Sequence, residues 1–253
     1  MIEHTRYPLS SYYGLARSWL IYYGQPWRRP ARIRFYAQFI RPGSLCFDIG
    51  SHLGNRIDAF LACGAQVVAL EPQPLCYRYL QRRYGHHANT DILNKGVDGT
   101  EGDKTLYLSA ATPTVSTFSE DWIEEVQQDT RFKNIRWDHT KNISMITLDR
   151  LIEMYGQPDF CKIDVEGYEE QVLHGLSTAI PALSFEYIPI AKERAVHCLD
   201  KLTAIGSYQY NYCQKERMSW CAPHWMSSEK MAEVLYKMPN STPSGDIYAR
   251  LNQ

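Results

Sequence analysis

The chain has 253 residues, 44% hydrophobic and 22% charged, enough for one folded unit with a sizeable core. Its formal net charge of −1 makes no whole-chain case for a polyanionic partner such as nucleic acid. The seven cysteines form no CxxC pair or metal-finger spacing, no signal peptide is evident, and no apolar run reaches the roughly 20 residues of a membrane span, so a reduced, cytoplasmic setting is expected.

Charge is uneven, however. Between Met1 and Phe47 stand seven arginines (Arg6, Arg17, Arg28, Arg29, Arg32, Arg34, Arg41) against one acid, Glu3. Leu15, Trp19, Tyr22 and Tyr23 recur at helical spacing, which predicts a helix over Tyr12 to Tyr23. Pro26 and Pro30 break it, a second helix is predicted over Arg32 to Ile40, and Pro42-Gly43 marks a turn. Residues 1–41 thus read as a helical arm before a single Rossmann-like domain at 42–253. Mixed Arg, Tyr and Trp suit nucleic acid, an anionic acceptor or a membrane surface; the preferred reading is a lid packed over the sheet edge, with Trp19 and Tyr23 buried.

Strand-like and helix-like segments then alternate. Leu45 to Ile49 is a strand ending at Gly50, Arg56 to Cys63 a helix stopped by Gly64, and Gln66 to Leu70 a second strand. A helix over Leu75 to Tyr84 leads to a third strand over Asp91 to Val97. Lys104 to Ser109, Ser119 to Gln127 (Ser119 as N-cap) and Ile143 to Thr147 read as strand, helix and strand. A helix at Leu148 to Tyr155, a strand at Asp159 to Ile163, a helix at Tyr168 to Leu176 and a strand at Leu183 to Ile188 follow. The last predicted elements are a helix over Ala191 to Ile205 and strands at Gln209 to Cys213 and Ile247 to Leu251. Such alternation implies βαβ units, hence a doubly wound α/β fold with a mainly parallel sheet and a ligand crevice at the C-terminal strand ends.

The residues just past those ends carry the chemistry. The first strand runs into Asp48-Ile49-Gly50-Ser51-His52-Leu53-Gly54-Asn55. The glycines permit a tight turn and close approach of a ligand, though the strict G-x-G-x-x-G fingerprint is absent. Asp48, Gly50, Ser51, His52, Gly54 and Asn55 are the candidate cofactor residues here. Glu71, followed by Pro72, ends the second strand 23 residues after Asp48, placed to accept hydrogen bonds from a ribose; it could instead merely cap the next helix. Val97 and Asp98 are candidates for packing on and bonding to an adenine, or else a plain Asp-Gly turn. A further strand ends in Asp164 and Glu166, and the next in Glu186. These three carboxylates are the candidate catalytic residues, with Asp164 also beside the cofactor; helix capping is the competing role.

FDIGSHLGN (47–55), VALEPQP (68–74), GVDGTEGDKTLYLS (96–109), TLDRL (147–151), KIDVEGYEEQVLHG (162–175) and FEYIP (185–189) together resemble the FkbM family of methyltransferases. The resemblance covers about residues 40–190, and KIDVEG after TLDRL is its specific part. It implies the class I fold, a seven-stranded sheet with the last strand antiparallel. It also implies S-adenosylmethionine as cofactor, S-adenosylhomocysteine as product, and O-methylation of a hydroxyl on a sugar, polyketide or other natural product. His52-Leu53 and Arg56 depart from the family's usual first loop. Methyl transfer needs alignment of the acceptor oxygen, and a general base adds roughly 10²- to 10⁴-fold. Asp164 is the first candidate base, ahead of Glu166 and Glu186. The same carboxylates could bind a divalent metal, but none is predicted. The competing readings are an NAD-dependent Rossmann oxidoreductase, which lacks a Tyr-x-x-x-Lys pair here, and a non-catalytic binding module.

Overall fold

The computed structural model describes residues 9–252; the start of the expected arm, with Glu3 and Arg6, lies outside the described residues. The strands are β1 (Leu45–Ile49), β2 (Gln66–Leu70), β3 (Thr90–Leu93), β4 (Gly96–Val97), β5 (Gly102–Leu108), β6 (His139–Ile146), β7 (Phe160–Ile163), β8 (Ala182–Tyr187), β9 (Tyr208–Gln214) and β10 (Gly245–Leu251). The helices are α1 (Leu9–Tyr23), α2 (Arg28–Tyr36), α3 (Asn55–Ala62), α4 (Pro74–Tyr84), α5 (Glu120–Gln127), α6 (Leu148–Tyr155), α7 (Glu169–His174), α8 (Lys192–Ile205) and α9 (Ser228–Lys237).

Seven strands form one sheet in the order β3-β2-β1-β7-β8-β10-β9, with only β10 antiparallel to its neighbours. The central strands are covered on both faces, so β1 and β7 are buried along almost their whole length, the charged Asp48 and Lys162 included. Alternate residues feed two cores: Phe47, Cys161 and Leu183 on one face, Cys46, Phe160 and Ala182 on the other. Register places Ile49 beside both Leu70 and Ile163, so the chain leaves the sheet at one level at Gly50, Glu71 and Asp164.

The expected third strand is divided. β3 ends at Leu93, where the Asn94 amide donates to the carbonyls of Glu71 (2.8 Å) and Pro72 (3.1 Å) and turns the chain off the sheet. β4 then joins a separate sheet, β4-β6-β5, that stands beside the main one. Ser119 does cap α5, its hydroxyl accepting from Trp122 N at 3.1 Å. Helix α9, capped by Ser227 and anchored by buried Met231 and Leu235, was not read from the sequence.

The N-terminal helices behave differently from each other. Phe35 and Tyr36 of α2 are buried in the core with Ile57 and Phe60. In α1 the buried residues are Gly14 and Ser18, and Trp19, expected to be buried, is 45% exposed. The reason is steric: a Cβ on Gly14 would lie 2.5 Å from Ala110 O and 2.7 Å from Pro113 Cδ. So close an approach needs small residues on the inner stripe, which turns Trp19 and Leu20 outward. Tyr23 is half-buried, its hydroxyl donating to Leu53 O at 2.8 Å. The seven cysteines are free, and among the described residues no helix is long and apolar enough to cross a membrane.

Candidate active site

The first loop is built mainly by backbone. Gly50 and Ser51 N–H both donate to Leu70 O, at 2.9 and 3.0 Å. Gly50 sits at φ +82°, and a Cβ there would be 1.9 Å from Asp164 O, so no other residue fits without moving the β7 end. The Glu71 carboxylate accepts from His52 N (2.7 Å) and Gln73 N (2.7 Å), clasping the loops after β1 and β2. Its burial pushes the carboxyl up to about 7 despite those two amides. Burial likewise raises Asp48 to about 6, against the pull of Arg56 and Lys162. His52 is held at φ +46° and its imidazole is kept neutral by burial, down to about 4.

The opposite side is built by side chains. Lys162 is fully buried and bonds both Asp164 (3.0 Å) and Asp246 (2.9 Å), joining β7 to β10. Arg56 forks onto Glu216 at 2.9 and 3.1 Å and lies 3.9 Å from Asp246. Carboxylate oxygens of Asp164, Glu166 and Glu186 lie within 4.8 Å of one another. Burial first, and then mutual repulsion, raises Glu166 and Glu186 well above the ordinary glutamate range. Glu186 Oε2 is buried and has no partner among the described residues. Beneath this loop Gly167 (φ +81°) seats the fully buried Trp122, whose Cδ1 would be 2.0 Å from a Cβ there.

One cleft is lined by Asp48, Gly50, Ser51, His52 and Asn55 from the first loop, Glu71 and Pro72 from the second, and Asp164 and Glu166 from the third. Glu186 adjoins it through the carboxylate group just described. With Glu186, three further expected residues lie outside the lining itself. Gly54 caps α3, with its carbonyl accepting from Tyr84. Val97 is buried in the core, and Asp98 is buried against Lys104 (2.7 Å) and the Tyr168 hydroxyl (3.1 Å). Because β4 has left the main sheet, this turn is not one of the aligned strand tips.

Tyr22 and Glu216 line the cleft without having been proposed as site residues, as do Arg56, noted only as a departure in the first loop, and Leu106, Ser116 and Phe118 from the second sheet and its loop. Arg56 and Glu216 are 160 positions apart, so no local pattern could pair them. The Tyr22 ring meets His52 edge-on at 5.5 Å, and the remaining cavity is about 60 Å³, room for a few waters rather than a nucleoside. The lining is nevertheless chemically unfinished. Asp48 Oδ2, Asn55 Nδ2 and both His52 ring nitrogens are buried without partners among the described residues. An acceptor and a donor left open beside a glycine turn fit an α-amino and α-carboxylate group, as the methionine end of S-adenosylmethionine carries, with Glu71 placed for its sugar.

The methyltransferase FkbM domain family matches residues 48–205. A hexuronic acid methyltransferase, AglP, of Haloferax volcanii is 26% identical over 165 residues, covering 62% of this chain and 60% of that protein. The chain therefore spans about 60% of that relative's length. Among solved structures, precorrin-6y C5,15-methyltransferase from Geobacter metallireducens superposes with TM-score 0.43 at 12% identity, covering 88% of this chain and 87% of that one. A TehB-like SAM-dependent methyltransferase from Corynebacterium glutamicum gives 0.43 at 11% identity, with 91% and 96% covered. The domain match extends over most of the chain and takes in every strand tip of the cleft from Asp48 to Glu186, so the chain belongs to the FkbM family of S-adenosylmethionine-dependent methyltransferases.

Proposed function

We propose that this chain methylates a hydroxyl group of a sugar or related small natural product. The observation that carries the reading is the convergence of the Gly50 turn, Glu71 and Asp164 on one cleft, with unpartnered polar atoms facing it. The name of the Haloferax relative favours a sugar-derived acceptor. S-adenosylmethionine, when bound, supplies an electrophilic methyl group. Glu71 would hold its ribose hydroxyls, and Asp48 and Asn55 would take its amino-acid end. Asp164 accepts the proton of the attacking hydroxyl; its side chain is 35% exposed to the cleft, and Lys162 fixes its orientation. Glu166 and Glu186 are the next candidates for that role.

The test is calorimetry followed by turnover. S-adenosylhomocysteine should bind and NAD should not; binding of NAD alone would overturn the reading. Asp164→Asn should lower kcat by about 10²- to 10⁴-fold while S-adenosylhomocysteine affinity stays within about threefold. If the acceptor proves to be methylated on a carboxylate instead, no base is needed and this variant keeps its rate. The same reading makes α1 (Leu9–Tyr23) of the expected arm a lid over the cleft, with Tyr22 as the group that withdraws. Tyr22→Ala should then speed S-adenosylhomocysteine association in stopped-flow measurements, whereas an unchanged rate would remove the lid role.

A further inference from the structure

Arg56 is 5% exposed, yet its guanidinium lines the cleft and its charge is met by a carboxylate from an exposed turn. Glu216 stands on the turn closed by Arg217 N to Gln214 O (3.3 Å), just after Lys215 at φ +53°, and its side chain is 36% exposed. The two partners are therefore unequal. Arg56 is anchored independently of Glu216, with its guanidinium carbon 5.8 Å from the Tyr36 ring centroid and one nitrogen 3.9 Å from Asp246. Glu216 makes no other side-chain hydrogen bond or ion pair among the described residues. Beside the fork stands a second buried arginine, Arg32, which gives one nitrogen to Asn55 O at 3.3 Å. Both arginines keep Nε buried and without a partner among the described residues.

A planar guanidinium held rigid from behind and bidentate in front is the geometry that recognises carboxylates. We propose that Arg56 is a carboxylate-binding subsite on the acceptor side of the cleft, that Glu216 occupies it as an internal stand-in, and that the acceptor bears a carboxylate which displaces Glu216. The inference deepens the reading above, on which it rests, by specifying an acidic acceptor. The exchange is charge-neutral. One carboxylate leaves the fork as another arrives, so the cleft, already rich in acids, gains no net negative charge. An arginine left open would be the costlier arrangement, since a buried cation without a counterion is strongly unfavourable.

The experiment is chemical rescue in the full chain, with acetate as probe and acetamide and chloride as controls. Glu216→Ala empties the fork. Acetate should raise its melting temperature saturably, by about 3 °C beyond chloride at equal ionic strength, and acetamide should not. Wild type and the double variant Glu216→Ala/Arg56→Met should show no such rise. Glu216→Gln, which keeps the turn and the volume, provides the second test: acetate should again stabilise it more than wild type. An absence of saturable rescue in both single variants, or equal rescue in the double variant, overturns the subsite. Calorimetry with S-adenosylhomocysteine on wild type separates the two ideas. Failure to bind it would strike the methyltransfer reading, while acetate rescue decides the fork on its own.

Discussion

The two sides of the cleft are made of different materials. Around β1 and β2, polar groups are satisfied by the main chain: Glu71 takes two amide hydrogens and Gly50 and Ser51 share one carbonyl. Around β7, β8 and β10, charge answers charge through Lys162 and Arg56, and Glu186 keeps an oxygen that nothing answers. Bonds between backbone groups, such as those to Leu70 O, hold in any ionisation state. A site built by ion pairs depends on every partner being present and charged.

The difference can be broken or sharpened by measurement. The largest effect should come from Lys162→Met, which strands Asp164 and Asp246 in the interior and should cost about 3–5 kcal/mol in chemical denaturation. A loss below about 1 kcal/mol would mean that the ion pairs do not organise that side. Next is pH. Glu71, Glu169, Glu166 and Glu186 have carboxyls raised in the folded chain, Glu71 and Glu169 to about 7. Their contribution to stability is complete below the unfolded value near 4.5 and is lost as pH rises through the folded value. The unliganded chain should therefore melt higher at pH 5 than at pH 8, with Glu71 alone accounting for about 3 kcal/mol of the change. Glu216, whose carboxyl Arg56 holds down against burial, works in the opposite sense. Glu166→Gln with Glu186→Gln should flatten the profile more than Glu71→Gln, because no amide offsets their burial; the reverse order would erase the contrast. Smallest is Ser51→Ala, which removes one hydroxyl bond to Asp48 O (2.7 Å) and should cost about 1 kcal/mol by urea melts.

The same contrast sets what the sequence discloses. Turn and strand-end chemistry is local, so Gly50, Glu71, Asp164 and Glu166 stood out from spacing alone, and a mainly parallel seven-stranded sheet with its last strand antiparallel followed from the alternation and the family resemblance. What was lost is non-local. Glu216 meets Arg56 only because β9 and β10 return to the sheet edge. Val97 and Asp98 were set at a strand tip because a side chain, Asn94, ends β3 early. Trp19 was turned inward because periodicity weighs apolar bulk, whereas α1 packs through what is missing at Gly14.

The sheet β4-β6-β5 has its own hydrogen-bond ladder and contributes Leu106 to the cleft, with Ser116 and Phe118 following on its loop. Its outline can be recut by insertion or exchange while the parallel strands keep their register. Nature can thus retool such a molecule for new acceptors as a lathe takes new jaws, leaving the spindle untouched.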